Sequence, residues 1–473
     1  MYMKQKWIFF FRLFISLIFA ICLAGCNAPK SQLTTFNCYY RAGDFNNAIT
    51  YAQSLIGKTA KPDGEDLLWS LQVAATEFQI GDCNKSAEYF DKAEAMLKYY
   101  DFQNETAAAV ASTIINDNAV SYAGEEYDGI MVNTYKALDF MMLGKNDMAR
   151  VEFNRALDRQ TRAKVLYSQQ IAKLKDQVAK KQQEKKDVNL NKNLENPKIQ
   201  EIIRKQYTNL YEYEAYPDFV NPFTTYLAGV GFNIMNDAQK AVDLLKESAG
   251  MVPGNHYVVE DFAATEGFLQ GKGKIENTVW VIFENGLGPT KEEVRIDLPL
   301  FLMTDKVVYA GVALPRLVPG SQAYGNLIVN AGGKEYRTEV VADMERVIRT
   351  EFNKDFQGIL TRAIVSAVVK AAAQYAVEQN NNNDSMGKSF LVLMVAAYSY
   401  ATTAADVRIW TTLPKDFQVA RLPMPAGRNI AIFSPEGAKI LDCAIAPCSN
   451  AIVYVKIPVR TAAPFYGIIK SNP

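Results

Sequence analysis

The chain has 473 residues and carries 51 basic and 51 acidic side chains, so it lacks the global positive charge of a nucleic-acid binder. Its single histidine, His256 in "PGNHYV", excludes His-rich metal sites. Any hydrolase with a histidine base would depend on that one residue, which sits in a turn.

Lys4, Lys6 and Arg12 surround the start of a short apolar run from Leu13 to Leu23. The run is too short to cross a bilayer comfortably, and residues 1–25 are expected to be a cleaved secretory signal. It ends in "LAGC", Leu23 to Cys26, which resembles the bacterial lipoprotein signal. Small residues before the cut fit a narrow protease groove, and the thiol after it accepts lipid. The resemblance implies that Cys26 is acylated, each buried methylene adding about 0.8 kcal/mol to membrane attachment. Asn27 replaces the aspartate that retains such proteins in the inner membrane, which implies the periplasmic face of the outer membrane.

Residues 26–274 read as helical hairpins built on a recurring pattern. From Gly43, small or apolar residues follow at Ala48, Ala52 and Leu55; from Gly81, at Ser86, Phe90 and Ala93; from Gly144, at Ala149, Phe153 and Ala156. A degenerate copy starts at Asn236 and continues through Ala241, Leu245 and Ser248. Two helices meeting across a tight turn need a small residue at the contact and an apolar one a turn later. Glycine supplies the left-handed turn. The pattern resembles the tetratricopeptide repeat (TPR), of period about 34 residues, here with interrupted copies. That resemblance implies a solenoid with an open concave surface for peptides or protein segments.

The helix after Gly144 is expected to run on as a basic arm over about residues 155–215, broken at "VNLNKNLENP" and returning through "KIQEIIRKQYTNLYEYEAY". Its charge suits lipid phosphates, anionic glycans or an acidic partner, but a solvated hairpin kept soluble by its lysines is favoured.

From residue 275 to 473 the texture changes to a mixed β/α domain. "TVWVIFENG", "EVRIDLPL" and "KVVYAGVAL" read as strands, and "YGNLIVNAGGKEYRTEV" as a hairpin turning at Gly332-Gly333. A long helix is expected from Met344 to Glu378 and another near Ser389, followed by strands in "RNIAIFSPEGAKILD" and "NAIVYVKIPV". In the last strand, Val453, Val455 and Ile457 alternate with Ile452, Tyr454 and Lys456, as in a half-buried strand. "NNDSMGKS", Asn382 to Ser389, misses the first glycine of a phosphate loop and follows a helix, so no nucleotide cofactor is implied. The uncharged stretch from Ser389 to Ala405 reads as half of a buried helical pair with Ile359 to Val377. Beyond Cys22 and Cys26, four cysteines remain. Cys443 and Cys448 bracket "AIAP" and are expected to form a local disulfide, with a metal clip as the alternative. Cys38 and Cys83 read as packed thiols.

Taken together, "NPFTTYLAGVGF" (Asn221 to Phe232), "VWVIFENGLGPTKEEVRIDLPL" (Val279 to Leu300) and "ADVRIWTTLPKDFQVARLPMPAG" (Ala405 to Gly427) resemble a family of uncharacterised bacterial lipoproteins with tetratricopeptide repeats. The resemblance implies an α+β chain, a TPR-like α-helical solenoid followed by a mixed β/α domain, and it implies no activity.

Arg295, Arg408 and Arg421 occur near Trp280 and Trp410, where arginine beside aromatics suits a carboxylate or glycan, but structural pairing with Glu292, Glu293 or Asp406 is favoured. Adjacent acids at Glu125-Glu126 and Glu292-Glu293 do not by themselves converge on one proton. No catalytic, cofactor or metal residues stand out. The expectation is a non-catalytic outer-membrane lipoprotein, held by its lipid anchor, that binds an unidentified envelope protein through its repeats and binds no nucleic acid. The alternative is a glycan- or nutrient-binding envelope lipoprotein, which the 25 tyrosines permit.

Overall fold

The computed structural model describes residues 28–57, 66–105, 122–184, 193, 195–207, 220–275, 277–301, 307–380 and 404–471. Cys26, the stretch 382–389 and most of 389–405 lie outside the described residues.

The first part is helical: α1 (Ala28–Arg41), α2 (Phe45–Leu55), α3 (Asp66–Gln79), α4 (Cys83–Glu105), α5 (Glu126–Met142), α6 (Asn146–Glu184), α7 (Pro197–Gln206), α8 (Pro222–Ile234), α9 (Ala238–Met251) and α10 (His256–Leu269). Four hairpins, α1/α2, α3/α4, α5/α6 and α8/α9, turn through the same backbone motif. Gly43, Gly81, Gly144 and Asn236 all have φ between 59° and 85°. At each, two amide bonds close the helix end: Gly43 N to Tyr40 O with Asp44 N to Tyr39 O, and the equivalent pairs at Gly81, Gly144 and Asn236. This is the Schellman arrangement, which satisfies carbonyls that a helix end otherwise leaves orphaned. Asp44, Asp82 and Asp237 then accept amide bonds from the first turn of the helix that follows. One turn further, Ala48, Ser86, Ala149 and Ala241 are fully buried where the paired helices touch.

The second part comprises three sheets and a long helix. The strands are β1 (Thr278–Asn285), β2 (Thr290–Phe301), β3 (Val307–Val318), β4 (Ile328–Ala331), β5 (Lys334–Arg337) and β6 (Glu339–Asp343). After α11 (Met344–Asn380) come β7 (Asp416–Pro423), β8 (Asn429–Phe433), β9 (Lys439–Ala444), β10 (Asn450–Ile457) and β11 (Phe465–Lys470). A five-stranded sheet runs β11-β10-β1-β7-β6, β2 and β3 form a long hairpin, and β5-β4-β8-β9 make a small antiparallel sheet. The β4/β5 turn has positive φ at both Gly332 and Gly333, which a tight two-residue hairpin requires. No helix among the described residues is long and apolar enough to cross a membrane.

The two parts share one core. β1 and β10 pair in parallel at the centre of the large sheet, and every residue of both is buried. β10 is therefore not the half-buried strand its alternation suggests: its more polar face lies against the helices, where Lys456 meets Glu284 of β1 at 2.8 Å.

Among the described residues, the helical pairs show no open concave surface of the kind expected. α3 and α8 are buried on every side, as is α5 from Tyr127 to Met141. The chain's own second part covers them. Phe78, Phe90 and Tyr135 of the helices interlock with Trp410, Tyr454 and Phe465, with ring centroids 5.3–5.9 Å apart. Gln72 donates to Thr411 Oγ1 and Gln79 to the Ala463 carbonyl. Even the hairpin turns take part, since a Cβ on Gly81 would lie 3.2 Å from Phe465.

Candidate functional site

A cluster of buried and half-buried carboxylates surrounds the first turn of α5. Glu351 of α11 reaches the free end of α5 and accepts from the amides of Glu126 (2.6 Å) and Tyr127 (3.1 Å). A carboxylate is favoured there because the first amides of a helix have no intrahelical partner and carry partial positive charge. Asp355 lies one turn along α11 from Glu351, on the same helix face. Glu125 precedes α5, and its amide donates to Asp128 Oδ2, which also accepts from the Tyr122 hydroxyl at 2.6 Å. One oxygen each of Glu125, Glu351 and Asp355 lies within 4.8 Å of the others.

Two elements bring cations to act on this cluster, Lys291 from β2 and Arg362 from α11. Lys291 of β2 holds Glu125 at 2.8 Å, and Arg408 is committed to Asp406 through its Nε and a terminal nitrogen, each at 2.8 Å. Burial followed by the Glu125 charge pushes Asp355 up to about 7, and burial likewise raises Asp128 to about 7. Burial opposes ionisation of Asp406 too, but its bonds to Arg408 outweigh it and hold the carboxyl below the usual range.

Lys291 also lines a cleft of about 300 Å³ between α1 and the 407–411 segment. Lys30, Thr34, Asn37 and Arg41 recur every three or four residues, so one face of α1 forms one wall. Thr290, Lys291, Ile409 and Thr411 form the other, and Thr411 closes the floor by donating to Asn37 Oδ1 at 2.7 Å. Lys30 and Arg41 are exposed, with no carboxylate partner among the described residues. Sequence reasoning missed this stripe, although its spacing was readable; what could not be read was the opposing wall, which comes from the far half of the chain.

The repeat residues Ala48, Phe90, Ala93, Ala149, Phe153 and Ala156 all have zero exposure, and Gly43, Gly81 and Gly144 occupy the hairpin turns. They form packing contacts and line no common site. Cys443 and Cys448 are free thiols, so the expected bridge is not formed. Cys443 lies on β9, buried in the core opposite Ile430, and burial pushes its thiol up to about 11. Cys448 stands half-buried beyond the strand end. Cys38 is exposed on α1, whereas Cys83 is buried against Met142, and burial pushes its thiol up to about 12.

The arginines singled out in the sequence are paired: Arg295 with Glu293, Arg408 with Asp406, and Arg421 with Asp261, the last a partner that sequence reasoning did not supply. Glu292 pairs with Arg316. Trp69, Trp280 and Trp410 are at most 1% exposed, so none of them is a platform for a sugar ring. His256 opens α10 on the surface and meets Glu339 at 2.8 Å. The expected basic arm begins as a single 39-residue helix, α6, and α7 returns beside β2.

No family model matches the chain, and neither does any curated protein. Among solved structures, the crystal structure of a thermophilic TPR protein from Thermus thermophilus aligns with 13% identity and a TM-score of 0.20, covering 50% of this chain and 98% of the other.

Proposed function

We propose that the chain is a non-catalytic lipoprotein scaffold at the periplasmic face of the outer membrane, built on TPR-like repeats, which binds an envelope protein at its first helical pair. The observation that carries this reading is the cleft beside α1. The inner face of the other hairpins is taken up by the chain's own sheet, and the remaining opening is lined by Lys30, Asn37 and Arg41. Two exposed cations, Lys30 and Arg41, suit an acidic segment of the partner. The stripe begins four residues beyond Cys26, so the partner would be met close to the lipid anchor.

The test is site-specific photocrosslinking in cells from Asn37 and Arg41, with exposed Val259 of α10 as a control position. The reading predicts one dominant envelope adduct from α1 that disappears in a K30E/R41E variant. Adducts from Val259 alone would refute it. Replacing Cys26 by alanine should release the protein from the membrane fraction and reduce the adduct.

A further inference from the structure

We propose that Glu125, Glu351 and Asp355 form the binding site of one hard divalent cation, calcium by its donor set, which clamps the first turn of α5 to α11. The donor set contains only carboxylate oxygens, with no thiol or imidazole, as hard cations prefer. Three carboxylates converging from two elements suit calcium, whereas magnesium keeps more of its water and is usually held by one or two carboxylates.

Independent observations point to a ligand here. Tyr127 is 3% exposed, and its hydroxyl has no hydrogen-bond partner. The Tyr127 amide is bonded to Glu351, while its hydroxyl is bonded to none of the cluster carboxylates. Asp128, fully buried behind the cluster, also leaves Oδ1 without a partner. Buried polar atoms are rarely left unsatisfied, and two beside one acidic cluster suit a hydrated ion. Asp355 offers one carboxylate oxygen to the cluster. Glu351 spends one lone pair of each oxygen on an amide and retains the others for a metal. Lys291 is the counter-argument. It meets Glu125 at Oε1, and with Arg362 it also favours the charged form of Asp355, but two cations face three carboxylates.

The test is a terbium(III) titration of the full mature chain, reading tyrosine-sensitised luminescence, with displacement by calcium and by magnesium. The expected result is saturable emission, reversed by calcium at lower concentration than by magnesium. D355N should weaken calcium binding at least about tenfold, as loss of a metal-supporting group typically does, with folding checked by circular dichroism. K291M, which removes the competing charge, should tighten it. Y127F should dim the emission while calcium still displaces terbium. Non-saturable emission would overturn the proposal, as would calcium affinity unchanged in both D355N and E351Q.

Discussion

Tyr135 of α5 donates its hydroxyl to Glu284 of β1 at 2.7 Å, fastening the third helical hairpin to the central strand of the large sheet. The same carboxylate accepts from Tyr454 and meets Lys456 of β10 at 2.8 Å, and it is 1% exposed. Removing one member of a buried pair leaves the other charge stranded, at about 3–5 kcal/mol. E284A should therefore lower the unfolding free energy by that much, as read from urea denaturation, and strand Lys456. An E284M/K456M double variant, which removes both charges, should recover most of the loss. A single E284A variant within about 1 kcal/mol of the parent would show that this contact is not central.

Because the hairpins and the sheet share a core, the whole chain should unfold as one unit. Phe223 of α8 lies flat on Phe417 of β7 with ring centroids 3.6 Å apart, and Phe78 touches both Tyr454 and Phe465. Helical circular dichroism and the near-ultraviolet signal of Trp280 and Trp410 are expected to melt together. A fragment of residues 26–274 would expose the faces of α3, α5 and α8 to water, and it should bind a hydrophobic dye and associate. Two separate transitions, or a soluble monomeric fragment, would contradict the shared core.

Glycine positions distinguish turn strain from steric closure. Gly144 has φ +70° and open space where a Cβ would sit, so G144A should cost only the left-handed strain, roughly 1–2 kcal/mol. Gly286 has φ +71°, and a Cβ there would lie 2.1 Å from the Ser321 carbonyl oxygen. G286A should cost on the order of 4 kcal/mol or more, because the backbone of the 320–322 segment has to move. The comparison is read from denaturation midpoints of the two variants; similar losses would mean that the segment yields easily.

The hairpins were legible because their determinants are local. Gly43, Gly81 and Gly144 fix a left-handed turn, and the buried small residue five positions later follows from helix geometry. The filling of the inner face was not legible, because it joins residues hundreds of positions apart, as Gln72 does with Thr411 or Phe78 with Tyr454. A trace of it was present: "DLLWSLQVAATEFQ" has few charges on any face, as a helix buried all round must. The acidic cluster was harder still. Glu125 was visible only as one of two adjacent acids, and its companions Glu351 and Asp355 come from a stretch that reads only as a long helix. Convergence of side chains from separate elements is a tertiary property that spacing does not encode.

Acid stability gives the last prediction. Asp261 of α10 is buried where it accepts from the Tyr226 hydroxyl at 2.7 Å, from Trp280 Nε1 at 2.9 Å and from Arg421 Nε at 2.8 Å, with Glu260 3.7 Å from Arg421. Burial raises its carboxyl from the ordinary 3.8 to about 6, against the lowering pull of Arg421 and the three donors. A carboxyl with a raised folded-state pKa binds its proton more tightly in the folded chain. Its stabilising contribution is thus complete below 3.8 and is lost as pH rises through about 6. D261N keeps the shape and removes the titration. The difference in urea midpoint between parent and D261N should therefore shift against the parent across that interval and stay level above it. A difference that moved the other way would mean that Arg421 outweighs burial, and that the carboxylate is held charged by its ion pair.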